Sequence, residues 1–269
     1  MYKNLQYGNS SGSYNVKNLA TALERQAAAA AVFFTVPGPK MFWQFGERGY
    51  DSSLVYGGSN VANKPPLWQY MKDPNRLKLW NAYAKLINLR RTHGEVFSNT
   101  SFSYDFTDNG GLFRRFQIGD TTGNGMQVTV VANLDVVPQT RTISFQKAGK
   151  WYNYLSNGVG TGINGATAAS FTLAATSQAI TLQPGEYHVF IFQPANVYEF
   201  NGTGNWNDAA NWSYGVLPPS PLPSGSEIIV NPQSGGECTL NVPQTIGQGA
   251  KLSVATGKTL KIPLNLSIQ

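Results

Sequence analysis

Residues 35 to 51 read Thr35-Val-Pro-Gly-Pro-Lys-Met-Phe-Trp-Gln-Phe-Gly-Glu-Arg-Gly-Tyr-Asp51, and they give the strongest local indication of fold in the chain. The Pro-Gly-Pro at 37–39 ends any helix before it, because proline removes a backbone donor and clashes with the preceding turn. The compact apolar run at 41–45 predicts a short strand that is buried on both faces.

The exit of this predicted strand carries polar and aromatic side chains, namely Glu47, Tyr50 and Asp51. Folds of the α/β class place their functional loops at the carboxyl ends of parallel strands, so these residues are candidates for function. The competing interpretation is an ordinary core strand followed by a polar loop.

Two predicted helices flank the strand. Residues 15–34 carry Leu and Ala at spacings of three and four, which is typical of a helix whose small-residue face packs closely on a sheet. The second helix has Asp73 as a good N-cap and Pro74 at its first position, and it ends near Arg90 with Gly94 as the stop. The order helix, strand, helix is a slice of a repeating α/β architecture.

From about residue 96 the apolar period changes to two, with turn residues between the runs. The predicted strands are residues 102–106, 112–118, 126–133, 141–145, 150–155, 170–174, 179–182 and 187–193. Eight short strands over residues 96–195 predict an antiparallel β-sandwich with its own core.

The C-terminal part of the sequence divides into a junction and a module. Residues 196–226 are rich in Pro and Gly and resist regular structure, and they include Trp206 and Trp212 in a repeated Asn-Trp unit. The two indoles either stack on sugar rings or fasten the start of the module to its own core, which is the interpretation we favour. Residues 227–269 predict an incomplete β-rich module, either the first rungs of a β-solenoid or half of a small sandwich.

Composition and charge narrow the class of protein. The 269 residues are enough for two or three domains, and they include 13 Tyr, 14 Phe, 6 Trp, 28 Gly and 15 Pro with only 13% charged residues. Sugar-binding proteins share this composition with many plain β-sandwiches. The net charge of +6 is scattered over the chain, which argues against a nucleic-acid partner.

The cysteine and histidine content argues against several kinds of site. Cys238 is the only cysteine, so an intrachain disulfide and a cysteine-based zinc site are excluded. His93 and His188 are far apart, which gives little support to a metal pair or a Ser-His-Asp triad. We therefore predict no metal and no cofactor in this chain, and a structural role for His188 within a strand.

Targeting signals are also missing from the pattern. The sequence has no apolar run of about 18 residues, so we predict no membrane span, and its opening residues do not predict a signal peptide. We expect a monomer.

Residues 35–91 resemble the end of the catalytic barrel of the α-amylase family, glycoside hydrolase family 13. That family carries a Gly-x-Pro segment, an apolar strand and then Gly-x-Glu around barrel strand eight, and here Gly38 and Glu47 match its first Gly and its final Glu. The chain departs from the pattern at Lys40 and Phe45, where the family has Pro and the second Gly. Similar family features are the Pro-Pro-Leu-Trp at 65–68 and the Leu-Ile-Asn-Leu-Arg-Arg at 86–91.

The resemblance covers about residues 1–195 and implies an α+β multi-domain fold. Residues 1–95 would be the C-terminal remnant of a (β/α)8 barrel of the TIM type, arranged helix–strand–helix. Residues 96–195 would be the family's C-terminal β-sandwich, followed by the junction at 196–226 and the module at 227–269. The relatives it points to are secreted bacterial α-amylases, so a secreted or cell-surface location is expected.

The resemblance also implies a reaction for the parent protein and an absence in this chain. A retaining glycosidase needs two carboxylates that flank the scissile bond. In this family they follow barrel strands four and five, with a third acid after strand seven, so we predict no catalytic residue here. Glu24 is predicted on a helix face among alanines, and Glu47 and Asp51 share one loop without a barrel to hold a sugar. Calcium sites of a calcium-dependent parent would mostly lie in its other parts.

Two functions follow from this reading. In the first, the chain is the C-terminal fragment of an α-glucan-acting hydrolase and is inactive alone. Its substrate contacts would come from Trp43, Glu47 and Tyr50 on one wall of the parent's cleft. The alternative is a non-catalytic carbohydrate-binding or surface-attachment module, in which Trp206 and Trp212 bind the sugar. In either case, residues 1–93 are expected to dock on the sandwich or to stay partly disordered.

Overall fold

The computed structural model describes residues 1–98, 101–105, 111–119, 126–156, 170–192, 197–213 and 216–269. The chain forms two compact units, Met1–Phe192 and Gln193–Gln269. Its mixture of a few helices and many antiparallel strands confirms the predicted α+β class.

The helices and the strands of the first unit follow each other in two blocks. The helices are α1 (Tyr2–Tyr7), α2 (Leu19–Thr35), α3 (Pro74–Thr92) and α4 (Gly94–Phe97). A small hairpin of β1 (Ser10–Ser11) and β2 (Tyr14–Asn15) precedes α2. The remaining strands are β3 (Phe102–Asp105), β4 (Phe113–Gly119), β5 (Gln127–Asn133), β6 (Gln139–Ser144), β7 (Gly149–Ser156), β8 (Ser170–Leu173), β9 (Ser177–Leu182) and β10 (Tyr187–Phe192).

Both long helices form where the sequence predicts them, and both begin at a side-chain cap. The Asn18 side chain accepts a hydrogen bond from the backbone N–H of Ala20 at 2.9 Å. Asp73 accepts hydrogen bonds from the backbone N–H groups of Asn75 and Arg76, with proline at the start of the helix. These caps satisfy donors that would otherwise be left without partners at a helix start.

The strand predicted at 41–45 does not form, so the helix–strand–helix prediction is wrong in its middle element. Residues 41–43 are irregular, Met41 and Trp43 are 90% and 61% exposed, and Phe45 has a left-handed φ of 56°. A strand needs a neighbouring strand for its backbone hydrogen bonds, and none of the described strands pairs with this segment. Apolar composition alone therefore does not make it a strand.

The eight strands predicted between 102 and 193 are confirmed as β3 to β10, although Phe106 and Gln193, two predicted strand ends, lie outside the described residues. Six of them form an antiparallel sheet in the order β3-β4-β5-β10-β7-β8, and β6 pairs with β9 in a second sheet. Between the two sheets lies a buried cluster formed by Phe113, Val131, Ile143, Phe145, Trp151, Leu173, Ile180, Leu182 and Phe190. The predicted antiparallel sandwich is therefore present.

The other face of the six-stranded sheet is covered by α2, which packs on β4, β5 and β10. All seven residues of β5 are buried, because its two faces meet the sandwich core and the helix side. The Arg25 guanidinium adds a polar attachment by donating to the carbonyl oxygens of Leu134 at 2.6 Å and Asp135 at 3.2 Å. The helices thus dock on the sandwich, which was one of the two expected outcomes.

The second unit is built from parallel strands stacked in three sheets. Its strands are β11 (Val197–Phe200), β12 (Gly204–Asn205), β13 (Glu227–Val230), β14 (Cys238–Thr239), β15 (Gln244–Ile246), β16 (Lys251–Val254), β17 (Leu260–Lys261) and β18 (Leu266–Ile268). They pair in the orders β11-β13-β16, β12-β14-β17 and β15-β18, all parallel. Each turn of chain therefore lies on the previous one, so of the two predicted alternatives the solenoid is confirmed.

Removal of the Arg25 guanidinium should loosen the docking of α2 on the sheet. We expect Arg25→Met to lower the free energy of unfolding by about 2 kcal/mol, because two carbonyl oxygens lose a charged donor. Urea denaturation followed by circular dichroism measures this change. Arg91→Met, at an exposed site on α3, is the matched control and should change stability by less than about 0.5 kcal/mol. Equal effects from the two variants would contradict the anchoring role.

Candidate functional site

A groove of about 530 Å³ lies between α3 and the loop that connects α2 to it. Because most of its lining is aromatic, it is called the aromatic groove here. It is lined by Phe42, Gln44, Phe45, Glu47, Trp68, Trp80, Tyr83, Ala84 and Ile87.

Large aromatic faces remain open to solvent along this groove. Trp68 is 66% exposed, Phe42 46% and Trp80 40%. The ring of Phe45 meets Trp68 edge-on with centroids 5.1 Å apart, and Phe42 meets Tyr83 edge-on at 5.8 Å. Such edge contacts hold the rings in place while leaving faces of Trp68 and Phe42 free for a flat apolar ligand.

The buried guanidinium of Arg76 fixes the loop that carries Glu47. It donates to the carbonyl oxygens of Arg48 at 2.8 Å and Gly49 at 2.7 Å, and it forms an ion pair with Asp51 at 2.6 Å. The Tyr70 hydroxyl donates a hydrogen bond to the same Asp51 carboxylate, and Arg76 lies over the Tyr70 ring. Because Arg76 belongs to α3, these contacts fasten the loop to the helix that forms one wall of the groove.

The same loop is also held close to α2. The Gln26 amide donates to the carbonyl oxygen of Gly46 at 2.7 Å. Gly49 has a φ of 67°, and a Cβ at this position would lie 2.3 Å from a methyl carbon of Leu23. Glycine is therefore required here for both conformation and space.

Two charges of opposite sign lie at the groove. Glu47 lines it and is half-buried, and its carboxylate adds to the effect of burial in raising the pKa of Tyr83. Arg48 is 6% exposed and its guanidinium stacks over the Trp80 ring at 5.0 Å. One terminal nitrogen of Arg48 is buried without a hydrogen-bond partner among the described residues. The stacked cation and the neighbouring carboxylate give a polar edge to an apolar surface.

The two acids of the loop are placed for different tasks. Asp51 is occupied by Arg76 and Tyr70, so it positions the loop. Glu47 has no such partner in the described part of the chain and faces the groove. A carboxylate beside open aromatic faces can accept hydrogen bonds from ligand hydroxyls while the rings cover an apolar ligand face. No three His, Cys, Asp or Glu residues within the described ranges come together as a metal site.

The structure does not bring the predicted substrate-binding residues together in one site. Glu47 lies in the aromatic groove, whereas Trp43 is exposed on the adjoining loop outside the lining. Tyr50 is half-buried outside the lining, and its hydroxyl is enclosed without a hydrogen-bond partner among described residues.

Trp206 and Trp212 lie in the core of the second unit and are 2% and 3% exposed. Their rings meet edge-on with centroids 4.7 Å apart, and the Trp212 indole donates to the carbonyl oxygen of Trp206 at 2.5 Å. Neither ring offers a face to a sugar in this arrangement. The geometry supports the fastening role that we favoured from the sequence.

Sequence reasoning did not assign Phe42, Trp68 or Trp80 to the site. Trp80 belongs to the apolar stripe of α3, but Leu79 and Leu86 of that stripe are 2% and 1% exposed while Trp80 stays 40% exposed. The stripe is wider than α2 can cover, and that excess width was the available signal.

No protein-family model and no curated protein matches the sequence. Among solved structures, the chain is similar to parts of α-amylases and related enzymes. An Anoxybacillus α-amylase matches at 14% identity and a TM-score of 0.44 over 64% of this chain and 33% of its own. AmyP in complex with maltose matches at 13% and 0.47, over 72% of this chain and 39% of its own. CldA, a cyclomaltodextrin glucanotransferase, matches at 14% and 0.46, over 69% and 36%.

The chain therefore spans between a third and two fifths of the length of these structures. At such low identity their activities do not transfer to this chain, so its function has to be inferred from its own residues. No helix within the described residues is long and apolar enough to cross a membrane.

Loss of the Asp51 carboxylate should destabilise the first unit more than loss of the Glu47 carboxylate. We expect Asp51→Asn to cost about 2 kcal/mol, because the buried Arg76 keeps its charge and loses its ion pair. Glu47→Gln should change stability by less than about 0.5 kcal/mol. Thermal and urea unfolding of the two variants measure this difference, and the reverse order would contradict the division of tasks.

Truncation of Trp206 should act on the stability of the second unit. We expect Trp206→Ala to cost about 3–5 kcal/mol, because it empties a core position. Trp68→Ala, at an exposed position, should cost no more than about 1 kcal/mol. Limited proteolysis reports on each unit separately, and a second unit that stays resistant in Trp206→Ala would contradict the core role.

Proposed function

We propose that this chain is the C-terminal part of a glycoside hydrolase of the α-amylase family, acting on α-glucans such as starch. In this proposal the aromatic groove is one wall of the glucan-binding cleft. The observation that carries it is the position of Glu47. The residue that matches the family's final Glu lies beside the open rings of Trp68 and Trp80.

The chemistry of an α-glucan fits this wall. Each glucose ring has apolar C–H faces, which stack on aromatic rings. It also has hydroxyl groups, which donate hydrogen bonds to a carboxylate. Phe42 and Trp68 supply the rings, Glu47 the acceptor, and the stacked Arg48 a neighbouring positive charge. Residues 35–91, whose sequence resembles the family, supply all of these groups.

We further propose that this chain does not hydrolyse glucans by itself. A retaining mechanism needs two carboxyl groups about 5–5.5 Å apart across the scissile bond. Glu47 is the acid that lines the aromatic groove, and Asp51 of the same loop is engaged by Arg76. Turnover then depends on carboxylates supplied by other parts of the parent protein, and no cofactor is assigned to this chain.

Part of the alternative function is weakened by the second unit. A carbohydrate-binding module based on Trp206 and Trp212 needs exposed indole faces, and both rings are buried. The secreted or cell-surface location and the monomeric state remain proposals that rest on the family resemblance.

Affinity electrophoresis through gels that contain soluble starch tests the proposed wall. We expect the unmodified chain to be retarded, and Trp68→Ala with Trp80→Ala to weaken binding at least about tenfold through lost apolar contact. Tyr7→Ala, at a 77% exposed aromatic residue outside the groove, is the matched control and should bind normally.

A reducing-sugar assay on the same samples should show no release above background. Migration of the unmodified chain that starch does not change would contradict the proposed function. Hydrolysis by the unmodified chain that is lost in Glu47→Gln or Asp51→Asn would contradict the assignment of catalysis to other parts of the protein.

A further inference from the structure

A second cavity, of about 270 Å³, lies inside the first unit between α2, α3 and the edge of the sheet where β7 ends and β10 begins. It shares no lining residue with the aromatic groove. The two sites use different faces of α3, since Lys78 and Ala82 line the cavity and Trp80 and Tyr83 line the groove.

The floor of the cavity is apolar. Leu23 of α2, Leu79 of α3 and Leu155 of β7 form it, and all three are buried. Ala20 and Ala27 on α2 leave the space open, because their side chains are too small to fill the gap between helix and sheet. The result is a concave surface of the size and polarity of a small-ligand site.

Several polar groups line the cavity around this floor. Tyr187 lines the cavity and is 2% exposed, yet its hydroxyl makes no hydrogen bond to a described residue. The carboxylate of Glu24, the ammonium of Lys78 and the hydroxyl of Ser156 also line it; Glu24 and Ser156 are half-buried and Lys78 is exposed at the rim. The Tyr187 hydroxyl is not one of the fully enclosed atoms, so it stays accessible from the cavity and can bond a ligand or water there.

The electrostatic effects of these groups on one another agree with their convergence. Burial raises the pKa of the Glu24 carboxyl, and the positive charge of Lys78 opposes that rise. Burial also raises the pKa of Tyr187, and the negative charge of Glu24 adds to the effect. Lys78, Glu24 and Tyr187 are therefore close enough to influence each other's protonation, as groups around one cavity would be.

The combination of groups selects the class of ligand. The Glu24 carboxylate would repel a small anion, and the ammonium groups of Lys78 and Lys85 would repel a small cation. A neutral polyhydroxylated ring avoids both conflicts, since each hydroxyl can accept from Lys78 or Tyr187 and donate to Glu24. Its apolar C–H face would lie on the leucine floor.

We propose that this cavity is a second, non-catalytic saccharide site that holds one neutral sugar ring through Glu24, Lys78 and Tyr187. The choice of glucose as that ring rests on the proposed α-glucan function. The site itself rests on the cavity and on the polar groups that line it.

Titration of the ¹⁵N-labelled chain with maltose tests this site. We expect backbone amide shifts at Leu23, Glu24, Lys78, Leu155 and Tyr187 that saturate together. Tyr187→Phe and Glu24→Gln keep the size of each side chain and should weaken this binding about three- to tenfold. Tyr7→Phe is the matched control and should bind like the unmodified chain. Well-dispersed spectra of each variant show that it has folded.

The combined Trp68→Ala and Trp80→Ala variant separates this inference from the proposed function. Shifts at the cavity residues that persist in it support a second site. Maltose shifts confined to the groove, or cavity shifts that Tyr187→Phe and Glu24→Gln leave unchanged, would overturn the inference while the starch-gel result stands. Failure of starch binding with intact cavity shifts would instead count against the groove alone.

Discussion

The packing of α2 on the six-stranded sheet is the contact on which the first unit depends. The central strands β5 and β10 are buried on both faces, so a sandwich core on one side does not suffice to cover them. Small residues such as Ala28 and Ala31 are fully buried on α2, which lets a helix lie close to its neighbours. Because α3 packs on α2, the docking of α2 on the sheet also sets the position of α3, which lines both candidate sites.

The loop between α2 and α3 acquires its shape from polar contacts, where a regular strand would use backbone pairing. Arg76 ties it to α3 through two carbonyl oxygens and Asp51, and Gln26 ties it to α2. This irregular loop leaves the aromatic rings of Phe42, Trp68 and Trp80 partly exposed to solvent. Exposed aromatic surface next to a free carboxylate is a feature of ligand sites, and here it coincides with Glu47.

Local sequence signals predicted much of the fold. The Asp73 cap, the alanine-rich helix and the alternating strands depend on neighbours in sequence, and all are found. The strand prediction at 41–45 failed because a strand requires a pairing partner that composition does not reveal. The solenoid could not be chosen over a half sandwich, because short apolar runs do not encode whether Val230 pairs in parallel with Val254. In the site, Glu47 was predictable by resemblance, whereas the exposure of Trp80 depends on how much of α3 the helix α2 covers.

The indole N–H signals of the six tryptophans show whether a glucan binds at the aromatic groove. In a titration of the ¹⁵N-labelled chain with maltoheptaose, we expect saturable shifts of the Trp68 and Trp80 indoles. The buried indoles of Trp151, Trp206 and Trp212 should stay unchanged. Shifts confined to the buried indoles, or no shift of Trp68 and Trp80 at saturating maltoheptaose, would contradict a glucan-binding wall at Glu47.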